Sequence, residues 1–201
     1  MNYEKEITEA IKERLVSRRP AVIPDPDGAY RHASVLIPLT LEGGRCHVIL
    51  TKRTDTVEHH KGQISFPGGR VDDGDESLEF TALREAEEEI GLARQNVILL
   101  GRIDDALTLV SNFIIHPFVG MVPGGYRFRL SEAEVERVLK VPLDLFFTHM
   151  QDSYSFEFEG MRYNTPALVY GSDVIWGATA RIMKNFVAIF EGKLPLRQEG
   201  K

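Results

Sequence analysis

Apolar residues recur along the chain with two periods, one near 3.6 and one near 2, and each marks a class of element. Ile7, Ala10, Ile11 and Leu15 form a stripe at helical spacing within residues 3–17, and Pro20 lies just beyond it. The stretch 20–30 carries three prolines and one glycine and reads as a connector. Strand runs follow at 33–39, 46–53, 97–103 and 113–122, rich in β-branched residues and punctuated by turn signals at 42–44 and 123–125. A helix is predicted over about 76–90. A second is predicted over 131–141, with Ser131 as its N-cap and Pro142 as its stop. Residues 153–160 alternate aromatic and polar positions as a half-exposed strand would, and 167–171 is the candidate partner. The last long element, from about Asp173 to Phe190, reads as a helix with Ile175, Ala178, Ile182, Val187 and Phe190 on its apolar side. There is no internal repeat and no low-complexity segment. The expected fold class is α+β, divided into an N-terminal helix and connector over 1–28, a main domain over 29–192 and a tail over 193–201.

Composition narrows the function classes. The chain has 201 residues, 43% of them hydrophobic and 27% charged, which is ordinary for a globular protein. A formal charge of -6 argues against a DNA- or RNA-binding stripe or an anionic-membrane patch, yet leaves room for a small phosphorylated substrate held by local cations. With Cys46 as its single cysteine the chain has no intramolecular disulfide and no multi-cysteine zinc cluster. Cys46 itself, inside a strand, reads as buried filler. No apolar run approaches the ~18 residues of a membrane span, and the charged start lacks a signal-peptide core, so the cytoplasm is the expected location.

Candidate chemistry concentrates in residues 62–92. Pro67, Gly68 and Gly69 make a junction whose backbone can approach a ligand closely, pointing carbonyls at a cation or N–H groups at a phosphate. A polar loop follows, in which Asp75 reads as a helix N-cap. On the helix, Glu85, Glu88 and Glu89 share one face at 0°, 300° and 40°, and Ala82, Leu83, Ala86 and Ile90 make the adjoining apolar face. Arg84 lies beside the acids, where it can orient a carboxylate. Such a stripe is either a solvated acidic face or a site for a hard cation, because Mg²⁺ and Mn²⁺ take carboxylates together with substrate phosphates. Composition alone leaves the two readings open.

The same residues resemble the Nudix box, written G-x5-E-x7-R-E-U-x-E-E-x-G-U with U aliphatic. Glu76 stands at the required distance from Arg84, and residues 84–92 fill the second half of the pattern. One departure is visible: the first glycine of the pattern falls at Arg70, and the available glycine is Gly69. Upstream, residues 50–69 resemble the signature of the coenzyme A pyrophosphatase subfamily. Leu50, Thr51, Arg53, Gly62, Phe66, Pro67, Gly68 and Gly69 match, Ile64 replaces Val, Thr54 replaces Ser, and Glu58 stands where the subfamily has a second arginine. Residues 138–146 and 174–182 are also similar to this subfamily.

The resemblance implies the Nudix fold, a mixed β-sheet sandwiched between α-helices, and hydrolysis of a diphosphate linked to another moiety with Mg²⁺ or Mn²⁺. It implies Glu85, Glu89 and Glu88 as metal ligands, with the Gly69 carbonyl adding a backbone oxygen, and a catalytic set of Glu88, Glu85 and Arg84. Arg53, Gly68 and His60 become candidates for substrate binding, and His59 is a further phosphate contact to consider. The general base is left between a box glutamate and a distant carboxylate, Glu134 or Glu136. The substrate class is coenzyme A or its thioesters. The alternatives are ADP-ribose, NADH or a nucleotide sugar, which Glu58 favours, and a ligand-binding module without turnover. The N-terminal helix offers a surface for a homodimer. Trp176 and the aromatic residues between Phe113 and Phe118 read as core.

Overall fold

Leu36 and Ile37 are neighbours in the chain and sit in different cores, because successive side chains of a strand point to opposite faces of its sheet. The computed structural model describes residues 3–54, 62–108, 111–158, 160–191 and 193–196. Among these, α1 (Tyr3–Val16) precedes the long strands β1 (Arg31–Glu42) and β2 (Arg45–Arg53), then the short β3 (Ile64–Ser65) and β4 (Gly68–Arg70). Next come α2 (Leu78–Ile90), β5 (Ile98–Arg102), β6 (Ala106–Leu107), β7 (Phe113–Val122) and β8 (Val135–Pro142). The chain continues through α3 (Leu143–Thr148), β9 (Gln151–Phe158), β10 (Met161–Tyr170), β11 (Asp173–Ile175) and α4 (Gly177–Phe190).

The main sheet is mixed and runs β3-β2-β1-β7-β5, with β4 paired to β1, β6 to β7 and β8 to β2. The β1–β7 pair is parallel over ten residues, from Arg31 opposite Phe113 to Thr40 opposite Val122. A second, three-stranded sheet runs β11-β10-β9. One core joins the sheet residues Ile37, Leu39, Val48, Leu50 and Val119 to Ile7, Ile11 and Leu15 of α1 and Ile182, Met183 and Phe186 of α4. On the opposite face Leu36, Ile49, Phe118 and Val122 meet Ala82, Ala86 and Ile90 of α2. The sheet therefore lies between helices, as expected. The apolar stripe of α1 is covered within the chain, with Ile7 and Ile11 fully buried, so that stripe is not the face available to a second copy. No helix among the described residues is long and apolar enough to cross a membrane.

Two expectations need correction. Residues 131–141 are not a helix: Ser131 closes a turn, its carbonyl accepting from the N–H groups of Glu134 and Val135, and β8 then runs antiparallel to β2 from Val135 to Pro142. Val135, Val138 and Leu139 fit helical spacing, but β-branched residues and a long edge of β2 to pair with decide the outcome. Pro142, expected to end a helix, instead opens α3. The last helix begins at Gly177, because 173–175 forms β11 against β10.

Candidate functional site

Helix α2 carries the acidic stripe, and its position follows from three local features. Ser77, not Asp75, is the N-cap, with its Oγ accepting from Phe80 N at 3.1 Å. Gly91 closes the helix with φ 65°, the left-handed conformation that glycine adopts without strain. The two alanines on the apolar face are fully buried and let the helix lie close against β1. A strap from Arg129 to Ser131 then takes the last carbonyls: Arg129 N–H donates to Ile90 O and Ser131 N–H to Glu89 O.

Arg84 is the hub of the stripe. Its Nε donates to Asp75 Oδ1 at 2.9 Å and its Nη2 to Asp75 Oδ2 at 3.0 Å, a two-pronged pair. Its Nη1 donates to Glu85 Oε1 at 2.9 Å and to Glu88 Oε2 at 3.0 Å. All three nitrogens are thus engaged with the protein, which makes Arg84 an orienting group. This arginine holds the Asp75 carboxyl well below the usual carboxylate range.

Glu89 is different. It is the buried member of the stripe, 3% exposed, and burial pushes its carboxyl up to about 8. The charge of Arg53 and an N–H bond from Gly68 act against that rise, while the charges of Glu85 and Glu134 add to it. Arg53 Nη1 stands 3.7 Å from Glu89 Oε1. Among the described residues Glu89 Oε2 and Arg53 Nε have no hydrogen-bond partner. Glu85 is also raised, first by burial, against the pull of Arg84. A Cβ on Gly69 would overlap the Glu85 carboxylate, so glycine leaves the space that carboxylate fills.

The orphaned, buried oxygen of Glu89 and the cradle at Gly69 fit a divalent cation, for an unpaired buried carboxylate oxygen is costly without a partner. Oxygen donors are what a hard cation takes. Among the described residues no three acidic, histidine or cysteine side chains are gathered into a ready metal cage.

The structure places the expected residues differently. Glu85, Glu89, Gly68, Gly69 and Arg53 come together, with Arg84 behind them. Glu88 lies at the rim, its side chain 59% exposed and turned to Arg84. Glu134 reaches the cluster through the turn before β8: its carbonyl accepts from Thr54 N, and its charge is felt at both Glu85 and Glu89. Glu136 does not join it, lying 3.4 Å from Lys52 and 3.6 Å from Arg137. His60, His59 and Glu58 lie outside the described residues. Cys46 is buried, which pushes its thiol up to about 12. Phe118 sits in the core beneath α2, whereas Phe113 and Trp176 are half-buried. Asp75 was missed in its present role; the signal was a second acid directly beside Glu76.

Comparison with known proteins agrees with this geometry. The sequence model of the NUDIX domain matches residues 30–157. The uncharacterized Nudix hydrolase NudL of Photorhabdus laumondii is 35% identical over 154 residues, covering 76% of this chain and 81% of that one. The chain belongs to the Nudix hydrolase family. NudL of Yersinia pestis, also uncharacterized, is 32% identical over 190 residues, covering 89% of this chain and 94% of the relative. A MutT/nudix family protein from Enterococcus faecalis shares the fold, with a TM-score of 0.54 at 14% identity over 88% of this chain and 66% of that one. The stripe on α2 is therefore the second half of a Nudix box, set on a Nudix fold.

Proposed function

We propose that this Nudix hydrolase is a divalent-metal-dependent diphosphatase for coenzyme A or acyl-coenzyme A, releasing adenosine 3′,5′-bisphosphate and (acyl-)4′-phosphopantetheine. The coarser statement, hydrolysis of a diphosphate within a nucleoside diphosphate derivative, follows from family membership. The coenzyme A assignment rests on the upstream motif through Leu50, Thr51, Arg53 and Phe66–Gly69. The single observation that carries the metal dependence is Glu89: a buried carboxylate with an oxygen that has no partner among the described residues, beside the half-buried carboxylate of Glu85.

Glu85 and Glu89 would hold the cation, with Glu88 and the Gly69 carbonyl at its margin. Bound there, Mg²⁺ or Mn²⁺ neutralises charge on the diphosphate and sharpens the acidity of water. The residues supply the rest. Arg84 keeps Glu85 in one orientation. Arg53 offers guanidinium donors to a phosphate oxygen, one of them buried and without a partner among the described residues. The Gly68–Gly69 backbone lets substrate approach closely. Glu134 is the better-placed base of the two distant carboxylates, because it borders Glu85 and Glu89, whereas Glu136 is drawn to Lys52 and Arg137.

ADP-ribose, NADH and nucleotide sugars form the second reading, favoured by the acid at Glu58, which removes a cation from the subfamily's motif. The test is product analysis with Mg²⁺ or Mn²⁺ on coenzyme A, acetyl-coenzyme A, ADP-ribose, NADH and UDP-glucose, with Glu89→Gln alongside. Release of adenosine 3′,5′-bisphosphate from coenzyme A, lost in the variant, supports the proposal. Preference for ADP-ribose or UDP-glucose overturns the substrate and keeps the site. No turnover of any substrate leaves a binding module.

A further inference from the structure

The Nudix pattern asks for one acid between its glycine and its arginine, and this chain offers two in succession, Asp75 and Glu76. Spacing from Arg84 selects Glu76; spacing from the glycine selects Asp75, which follows Gly69 after five intervening residues. The folded chain separates them. Glu76 is exposed. The Asp75 side chain is 3% exposed and grips the Nε–Nη2 edge of Arg84 at 2.9 and 3.0 Å. Its Oδ2 also accepts from Thr81 Oγ1 at 2.8 Å and from Asp72 N at 3.0 Å, which fixes the carboxylate from the helix on one side and the loop on the other. The additional residue therefore falls between acid and arginine, where the chain turns through the Ser77 cap into α2.

We infer that Asp75, not Glu76, is the positioning residue for the cation-binding carboxylates, acting through Arg84. The inference rests on the metal-dependent reading above. A guanidinium holds its donors in a rigid plane. With one edge clamped by Asp75, only Nη1 remains for the acids, and it meets Glu85 through Oε1 alone. The second Glu85 oxygen stays out of that bond and open to a cation. Asp75 also balances the charge of Arg84, so a divalent ion approaching Glu85 and Glu89 does not meet an uncompensated cation. Freed of Asp75, the guanidinium can turn both prongs onto Glu85 and compete with the ion.

The test measures Mn²⁺ binding to the whole protein by electron paramagnetic resonance of the free ion, together with kcat and KM, for wild type, Asp75→Asn and Glu76→Gln. Asp75→Asn is expected to weaken Mn²⁺ binding about 10- to 100-fold, the range for groups behind metal ligands, and to lower kcat with KM for substrate little changed. Glu76→Gln is expected to match wild type in both readouts. An Arg84→Met background should abolish most of the Asp75→Asn effect, since the two residues act as one unit. Wild-type Mn²⁺ affinity in a folded Asp75→Asn protein overturns the inference. So does a loss of Mn²⁺ affinity in Glu76→Gln, which decides the matter even if Asp75→Asn does not fold. If wild type itself binds no Mn²⁺, the metal-dependent reading falls and takes this inference with it.

Discussion

Two buried polar clusters are built against β1, and they solve the problem of a buried charge in opposite ways. In the first, His32 Nδ1 and His116 Nε2 share a hydrogen bond at 2.9 Å, His116 Nδ1 meets Asp105 Oδ1 at 2.8 Å, and His32 Nε2 meets Asp25 Oδ2 at 3.3 Å. Asp105 further accepts from Ile23 N and pairs with Arg102. Burial opposes ionisation of Asp105, but these partners outweigh it and hold its carboxyl below the usual range. In the second cluster, level with Ser34 where Gly69 pairs, Glu89 keeps an oxygen without a partner among the described residues, and burial pushes its carboxyl up to about 8. In the first cluster the carboxylate is engaged on both oxygens, although the Nε of Arg102 is left without a partner among the described residues, and the network ties down the connector; a carboxylate with an unpaired buried oxygen costs stability and persists where something else completes it.

The contrast breaks most visibly under substitution. Glu89→Gln should reduce metal-dependent turnover by ~100-fold or more, since a metal ion supplies several kcal/mol to such a reaction. The same change should leave the melting temperature of the metal-free protein at pH 8 equal or higher, because it removes a buried charge. Asp105→Asn should do the reverse. Loss of a fully buried, multiply bonded carboxylate costs about 2–4 kcal/mol, roughly a 5–15 °C drop in melting temperature for a chain of this size, with turnover per folded molecule within a few-fold of wild type. Calorimetry and steady-state assays on both variants would check the pair. Equal signs of the stability change would remove the distinction.

Two adjacent glycines sharpen it. A Cβ on Gly68 would meet Ser34 O at 2.5 Å and the Val35 Cα, both backbone, so Gly68→Ala should part β4 from β1 and cost about 1–3 kcal/mol. The nearest atoms to a Cβ on Gly69 belong to the Glu85 carboxylate, the far end of a side chain and not backbone. Gly69→Ala should therefore fold nearly as well as wild type and lose metal affinity, seen as a smaller rise in melting temperature on adding Mg²⁺.

The smallest effect is on pH. Native Glu89 keeps its proton up to about pH 8, whereas the unfolded chain gives it up near 4.5, so the native state binds more protons between those values. Stability of the metal-free protein should then fall as pH rises through that window, by on the order of 1 kcal/mol per pH unit from this group. Chemical denaturation at pH 5.5, 6.5 and 7.5 should show that slope in wild type and lack it in Glu89→Gln.

Much of this was legible in the sequence, and what was not has physical causes. The strands β1, β2, β5 and β7 and the helices α1 and α2 announced themselves through periodicity, and Glu85, Glu88 and Glu89 through a shared helix face. Residues 131–141 satisfied helical spacing locally, and only the open edge of β2, about ninety residues earlier in the chain, made them a strand. β4 was hidden because Gly-Gly reads as a loop, although it is the absence of side chains there that lets the backbone pair with Ser34 and Val35. The His32–His116 network joins residues 84 apart and carries no local pattern. The choice between Asp75 and Glu76 depended on where the helix cap falls, which two adjacent acids cannot reveal.

The central claim is that Glu89 is kept buried and incomplete for a cation. Titration calorimetry of Mn²⁺ into the protein at pH 7, in two buffers of different ionisation enthalpy, tests it most directly. The account predicts release of close to one proton per bound ion in wild type, as the cation displaces the proton that Glu89 carries below pH 8, and no such release in Glu89→Gln. Mn²⁺ binding with equal affinity and equal proton release in both proteins would contradict it.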